Sequence, residues 1–188
     1  PAKLNLFLHI TGVREDGYHN LQTVFQLLEL ADEVSLQRRS DGVIHRTHGV
    51  HGLNPKDGLV VKAANALKQY TNTQWGVDIG VTKQLPVGGG IGGGSSDAAS
   101  TLMGLNKLWQ CHLSQQELLS LARSEGADVP VFIQGQSAIA HGIGEKLHHV
   151  KLEQKWYCVV HPNQHVSTAK IFTHPDLKRD TPKIIGDW

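Results

Sequence analysis

Cysteine is nearly absent: Cys111 and Cys158 are the only two in 188 residues. Two thiols without a flanking motif give no disulfide framework and no zinc-finger spacing, and they point to a reducing compartment. No apolar run approaches the roughly 20 residues that span a bilayer as a helix, so a membrane-spanning role is not expected. The formal net charge of +1, with Lys and Arg scattered, excludes the strongly basic surface of a nucleic-acid partner. The 12 histidines include His148-His149 and the pair His45 and His48, but none has the carboxylate or cysteine company of a metal site, so solvated loop positions are expected. The chain opens at Pro1 on strand-like sequence and stops at Gly186-Asp187-Trp188, as expected of a fragment trimmed at both ends. No internal repeat is present.

What the chain has in excess is glycine, concentrated at one place. Val87-Gly88-Gly89-Gly90-Ile91-Gly92-Gly93-Gly94-Ser95-Ser96-Asp97 carries six glycines in seven positions. The segment before it, Val77 to Thr82, reads as a strand ended by Gln84-Leu85-Pro86. The segment after it keeps Ala98, Leu102, Leu105 and Trp109 on one helical stripe, so a buried helix is expected from about Ser95. A strand, a glycine run and a helix put free amides and the positive end of a helix dipole at one spot, which suits a phosphate chain. A plain turn needs only one or two glycines; here side chains would keep phosphate oxygens from the amides. The lysine of a Walker loop is missing, because Ser95 follows Gly94. A dinucleotide fingerprint is disfavoured, since several strands and a helix precede the run. Ser95 and Ser96 could touch phosphate or metal, or cap the helix; Asp97 suits the helix dipole.

The rest of the chain supports an α+β layer fold. In Pro1-Ala2-Lys3-Leu4-Asn5-Leu6, continuing to Ile10, a period of two predicts a strand with Leu4, Leu6 and Leu8 in the core and Lys3, Asn5 and Phe7 on the other face. Leu21 to Leu30, Glu33 to Leu36 and Val43 to His45 read as further strands of a meander. Leu59, Ala63, Ala66 and Tyr70 predict a helix with Asp57 as its N-cap, and Ser114-x-x-Glu117 is a capping box for another helix ending near Gly126. Trp156 to Val160 is expected to be a late strand. By default, Lys3 and Asn5 are a solvated strand face, Asp128 a turn former, and Tyr18 and His19 a loop pair after Asp16-Gly17.

Taken together, Pro86-x-Gly88-Gly89-Gly90-x-Gly92-Gly93-Gly94-Ser95-Ser96, the opening Pro1 to Leu6 stretch, Asp16-Gly17-Tyr18-His19 and Gly126-Ala127-Asp128-Val129-Pro130 resemble the motifs of the GHMP kinases, in the family's order. Within that family they are similar to the branch that phosphorylates a cytidyl-diphosphate-linked polyol in non-mevalonate isoprenoid synthesis. The resemblance implies an N-terminal domain over residues 1–160 with a ribosomal protein S5 domain 2-like sheet and helices packed on one face. It implies the start of a truncated C-terminal α+β domain over 161–188. It implies ATP and Mg2+ as cofactors, a small-molecule alcohol as partner, and a monomer or weak homodimer in the bacterial cytoplasm. Lys3 and Asp128 would be catalytic. Asn5, Tyr18, His19, Thr168 and Phe172 would bind substrate, with Tyr18 and Phe172 on the two faces of cytosine and His19 at its edge. Pro86, the six glycines, Ser95 and Ser96 would hold the nucleotide. The family's asparagine before the adenine-side helix is replaced here by Asp57-Gly58, so no base contact is assigned to Gly58. A third glycine-rich motif of the C-terminal domain is not found in these residues. Another GHMP-type kinase would keep the loop, Lys3 and Asp128 with little use for a cytosine clamp; a non-catalytic relative would bind ATP without turnover, against which the intact Lys3 and Asp128 argue.

Overall fold

A computed structural model describes residues 1–49, 58–161 and 168–184, with the backbone alone at 168 and 169. Two sheets share one helical layer. Strands β1 (Lys3–Val13), β2 (His19–Leu27), β6 (Ala138–Gly142) and β7 (Lys146–His149) form an antiparallel sheet in the order β1-β2-β6-β7. Strands β3 (Glu33–Arg39), β5 (Gly76–Thr82) and β4 (Ile44–His48) form the other, with β5 central, antiparallel to β3 and parallel to β4. The early strands therefore do not form a meander: after β2 the chain leaves the first sheet, and β4 joins β5 through helix α1 (Leu59–Thr71). A parallel pair requires such a crossover.

Helices α1, α2 (Gly93–Leu108), α3 (Gln115–Glu125) and α4 (Val129–Gln134) pack on one face of both sheets. Their shared core joins Phe25 of β2, Val77 and Ile79 of β5 and Ala138 of β6 to Leu67, Leu102, Leu105 and Phe132 of the helices. The expected stripe of α2 is buried from Ala98 to Trp109. Of the stripe expected for α1, Ala63 is buried and Tyr70 is exposed, and the buried face is completed by Val60, Val61, Ala64 and Leu67. Its N-cap position is Gly58, without a side-chain cap; Asp57 lies outside the described residues. The Ser114 and Glu117 capping box forms, and α3 ends at Gly126.

Strand β1 departs from the expected alternation in a way that builds the site. Its register against β2 shifts between Asn5 and Leu8, an irregularity that breaks the period of two. Lys3 and Asn5 lie opposite Leu27 and Phe25, on the face under the helices, whereas Phe7 packs on the other face with Val24, Ile139 and Val150. Leu6 and Leu8 are each 44% exposed rather than in the core, and Leu4 packs with Ala2, Leu85 and Ile91. The face expected to be solvated is thus the inner one at Lys3, which is 4% exposed.

Strands β6 and β7 and the short α4 were not expected from the sequence. The segment Trp156 to Val160 is not a strand; it is exposed, and among the described residues no neighbouring strand pairs with it. An extended segment without a ladder partner has nowhere to place its N–H and C=O groups except in water. Helix α5 (Thr168–Thr173) and the residues to 184 return to the first sheet: the Thr181 amide donates to the Ile10 carbonyl at 2.9 Å, and Gln22 exchanges two hydrogen bonds with the Ile184 backbone. Among the described residues no helix is long and apolar enough to cross a membrane.

Candidate active site

The connection from β5 to α2 is the glycine run, and its conformation explains its composition. Gly88, Gly90 and Gly92 have φ of 75°, 70° and 77°, a region that side chains with a Cβ avoid. Gly92 is also crowded: a Cβ there would lie 2.8 Å from Phe132 and 3.0 Å from the Lys3 stem. Gly92 is the N-cap position of α2, and no side chain caps the helix. The helix therefore starts earlier than expected, and Ser95 and Ser96 fall inside its first turn rather than at its cap. Ser95 lines the cleft over the loop, while Ser96 is 3% exposed and gives its amide to the Gly92 carbonyl. The leading amides of a helix have no intrahelical acceptor, so an uncapped first turn opening into a cleft is suited to an anion.

That cleft has a volume of about 500 Å3. Pro86, the six glycines and Asp128 line it together with the apolar side chains of Leu59, Val60 and Val81. Gly58 also lines the cleft, and the Arg46 guanidinium occupies the place its side chain would take, with Nη1 2.8 Å from the Cβ position.

The predicted catalytic pair converges from segments 125 residues apart in sequence, 3 to 128. Lys3 Nζ is 3.1 Å from Asp128 Oδ2 and donates to Asn5 Oδ1 at 2.6 Å. Asn5 Nδ2 in turn donates to Thr23 Oγ1 at 2.8 Å, and that hydroxyl donates to the Phe7 carbonyl at 2.5 Å. The ammonium also stands 5.3 Å from the Phe25 ring centroid. The Lys3 amide donates to the Ile91 carbonyl at 2.9 Å, tying the strand that carries the cation to the loop itself. Asp128 holds the N-cap position of α4, but its backbone is helical and its side chain makes no cap bond. Its carboxylate, about one-third exposed, is available to both lysine and cleft.

A third cation, missed by the sequence reading, lines the cleft with Asp97. Lys83 pairs with Asp32 and, at 3.0 Å, with Asp97. Asp32 also accepts from the Gln84 and Leu85 amides at 2.7 and 2.8 Å, and Lys83 Nζ is 3.2 Å from a Cβ placed at Gly93. Asp97 is thus an ion-pair partner rather than a residue set by the helix dipole. No spacing signal could have revealed the cluster, since Asp32 lies 51 residues from Lys83. Burial raises the Asp97 carboxyl above its ordinary range, against the opposing pull of Lys83. A carboxyl raised in the fold contributes stability below its unfolded value and loses it as pH rises through the folded value. The melting temperature of Asp97→Asn relative to the unsubstituted protein is therefore expected to increase as pH rises above the ordinary aspartate range of about 4; a decrease would contradict this.

The remaining predicted residues gather at the far end of the β1–β2 hairpin. Tyr18 sits on the turn, where its amide donates to Asp16 Oδ1 at 3.1 Å and its carbonyl accepts from Arg14, and it is 62% exposed. His19 opens β2, with its ring centroid 5.2 Å from that of Phe172 on α5. Arg179, also missed from sequence, donates to His19 Nε2 at 3.2 Å. Thr168 opens α5, and its side chain lies outside the described residues. Phe25, opposite Asn5, lies six residue steps along β2 from His19, a span of roughly 20 Å. Among the described residues no group of three or more His, Cys, Asp or Glu could hold a metal ion.

Comparison with known proteins gives one family model, the GHMP kinases N-terminal domain, matching residues 58–136. A curated relative from Pseudoalteromonas translucida (strain TAC 125), 4-diphosphocytidyl-2-C-methyl-D-erythritol kinase, is 62% identical over all of this chain. One of the same name from Cupriavidus metallidurans is 53% identical, again over the whole chain. The chain spans 66% and 65% of their lengths. A crystal structure of 4-(cytidine 5'-diphospho)-2C-methyl-D-erythritol kinase matches 81% of this chain and 54% of its own, with 40% identity and a TM-score of 0.71. The mevalonate kinase of Methanococcus jannaschii shares the fold at 15% identity, with a TM-score of 0.58 over 81% of this chain and 55% of its own.

Proposed function

The chain belongs to the GHMP kinases, and on that premise we propose that it carries the ATP-binding and catalytic part of an enzyme that phosphorylates the 2-hydroxyl of 4-diphosphocytidyl-2-C-methyl-D-erythritol. The observation that carries this reading is the separation of two sites on one hairpin. A cation and carboxylate lie at one end, and an aromatic and histidine pair lies roughly 20 Å away along β2. That span suits an elongated substrate with a base at one end and an alcohol at the other.

ATP lies with its base against Leu59, Val60 and Val81 and its triphosphate along the amides of residues 88–95. Lys3 takes the charge developing on the transferred phosphoryl oxygens. Asp128 orients the substrate hydroxyl and accepts its proton late, because a loose phosphoryl-transfer transition state asks for little early deprotonation. Asn5 holds the reacting end of the alcohol and is itself aimed by Thr23. Among the described residues the donor set offers no protein cage for a divalent ion, which fits Mg2+ carried mainly on the phosphates, with Ser95 in the first turn of α2 as the hydroxyl lining the cleft. Bound there, the ion would supply positive charge against that developing on the phosphates. Residues 1–160 form the N-terminal domain of this reading and 161–188 the start of the second. The enzyme works in the bacterial cytoplasm as a monomer or weak homodimer.

Tyr18 and Phe172 take the two faces of cytosine and His19 its edge, with Thr168 contributing beside them. Tyr18→Ala is expected to raise KM for the cytidyl substrate by about 1–3 kcal/mol of lost stacking, roughly 5- to 150-fold, with kcat little changed. An unchanged KM would remove Tyr18 from the site. The reading as a whole is tested by ADP release. Release should depend on the cytidyl substrate and not on mevalonate or homoserine; preference for either of those alcohols would reassign the substrate within the family.

A further inference from the structure

The proposed base site has a fixed electrostatic backing in Arg179. Its guanidinium uses all three nitrogens: Nε donates to His19 Nε2 at 3.2 Å, Nη1 to the Leu177 carbonyl at 3.0 Å, and Nη2 to the carbonyls of Phe172 at 3.0 Å and His174 at 2.8 Å. Three bonds to backbone carbonyls fix the planar fork, so the fourth is aimed rather than incidental. One side chain thus ties the segment that carries Phe172 to the first residue of β2. We infer that Arg179 is a positioning residue that fixes the tautomer of His19 and thereby makes the base site selective for cytosine over uracil.

Arginine has five N–H donors and no acceptor. A histidine nitrogen facing Arg179 must therefore accept, and Nε2 can accept only without a proton. The proton of the imidazole then sits on Nδ1, and the ring presents a donor there. The ring nitrogen N3 of cytosine is an acceptor, whereas N3 of uracil carries a hydrogen and donates. A donor held in place pairs with the first and meets another donor in the second, leaving both groups without a partner in a site walled by aromatic rings. Sites built on a specific hydrogen bond discriminate strongly for that reason. An imidazole free to exchange tautomers could present either a donor or an acceptor and would lose the distinction. Phe172 is held by the same guanidinium through its carbonyl, so stacking and edge reading share one support.

The inference rests on the cytidyl reading above, and two measurements separate them. In the full chain with 15N-labelled histidine, the long-range 15N–1H correlation of His19, assigned by its loss in His19→Asn, reports the tautomer without any substrate. The expected result is Nδ1–H in the unsubstituted protein and a shift toward Nε2–H in Arg179→Met. The kcat/KM ratio of the cytidyl substrate over its uridyl counterpart should fall at least about tenfold in Arg179→Met. Arg179→Lys, which keeps one donor for Nε2, should recover part of it. His19 on Nε2–H in the unsubstituted protein would overturn the assignment whatever the stability of the variants. So would an unchanged tautomer and ratio in Arg179→Met. An unsubstituted enzyme that turns over both substrates equally would overturn the selectivity assigned to Arg179; one that turns over neither would instead refute the cytidyl reading, while the tautomer would still decide whether Arg179 positions His19.

Discussion

Asp128→Asn is expected to lower kcat by about 10²-fold or more while leaving ATP affinity nearly unchanged. The carboxylate contacts Lys3 at 3.1 Å and lines the cleft, and it is assigned to the substrate hydroxyl rather than to the base or the phosphates. Asparagine keeps the volume and one acceptor oxygen, so the hydroxyl can still be bound, but the amide cannot take its proton. Steady-state kinetics with each substrate varied, together with calorimetric binding of ATP, separates the two effects. Turnover within a few-fold of the unsubstituted enzyme would exclude Asp128 from proton transfer. A parallel loss of ATP affinity would move its role to the nucleotide.

Lys3→Met should be at least as severe, with kcat lower by about 10²–10³-fold, the range seen when one preorganised donor to a developing charge is removed. Methionine preserves most of the stem that fills space beside Gly92, and it deletes the ammonium that stands over the Phe25 ring. The fold is expected to survive, because the Asp128 carboxylate left behind is about one-third exposed and keeps its access to water. Asn5 would lose its partner at Oδ1 but keep its bond to Thr23. Since Lys3 and Asp128 touch, their losses should not add: the double variant Lys3→Met with Asp128→Asn is expected to be little worse than the poorer single one. Full additivity of the two effects would mean that the residues act at separate places.

The site was more legible in the sequence than the packing around it. The glycine run between a strand and a helix could be read as an anion cradle from residue types alone, because only a backbone without Cβ atoms both turns and exposes its amides in this way. Lys3 and Asn5 were readable as one face of a strand. Which face was inner was not, because the irregularity after Asn5 switches the faces and depends on pairing with β2. Hydrophobic alternation placed Leu6 and Leu8 in the core, yet the cleft under the helices claims the other face for Lys3. The Lys83 cluster and the Arg179 fork were invisible for a different reason. Each joins segments brought together only by the tertiary fold: Asp32 to Lys83, and His19 to Arg179 across 160 residues. Trp156 to Val160 has the composition of a strand, but composition cannot supply the neighbour that a strand requires.

The central claim is that the amides around Gly90 hold the nucleotide's triphosphate beside Lys3 and Asp128. A crystal structure of the full chain with a non-hydrolysable ATP analogue tests it most directly. The account predicts phosphate oxygens within hydrogen-bonding distance of the amides of residues 88–95, with the terminal phosphoryl group facing the Lys3 ammonium. An analogue bound with its phosphates away from the glycine run, or with its terminal phosphoryl group turned from Lys3, would contradict it.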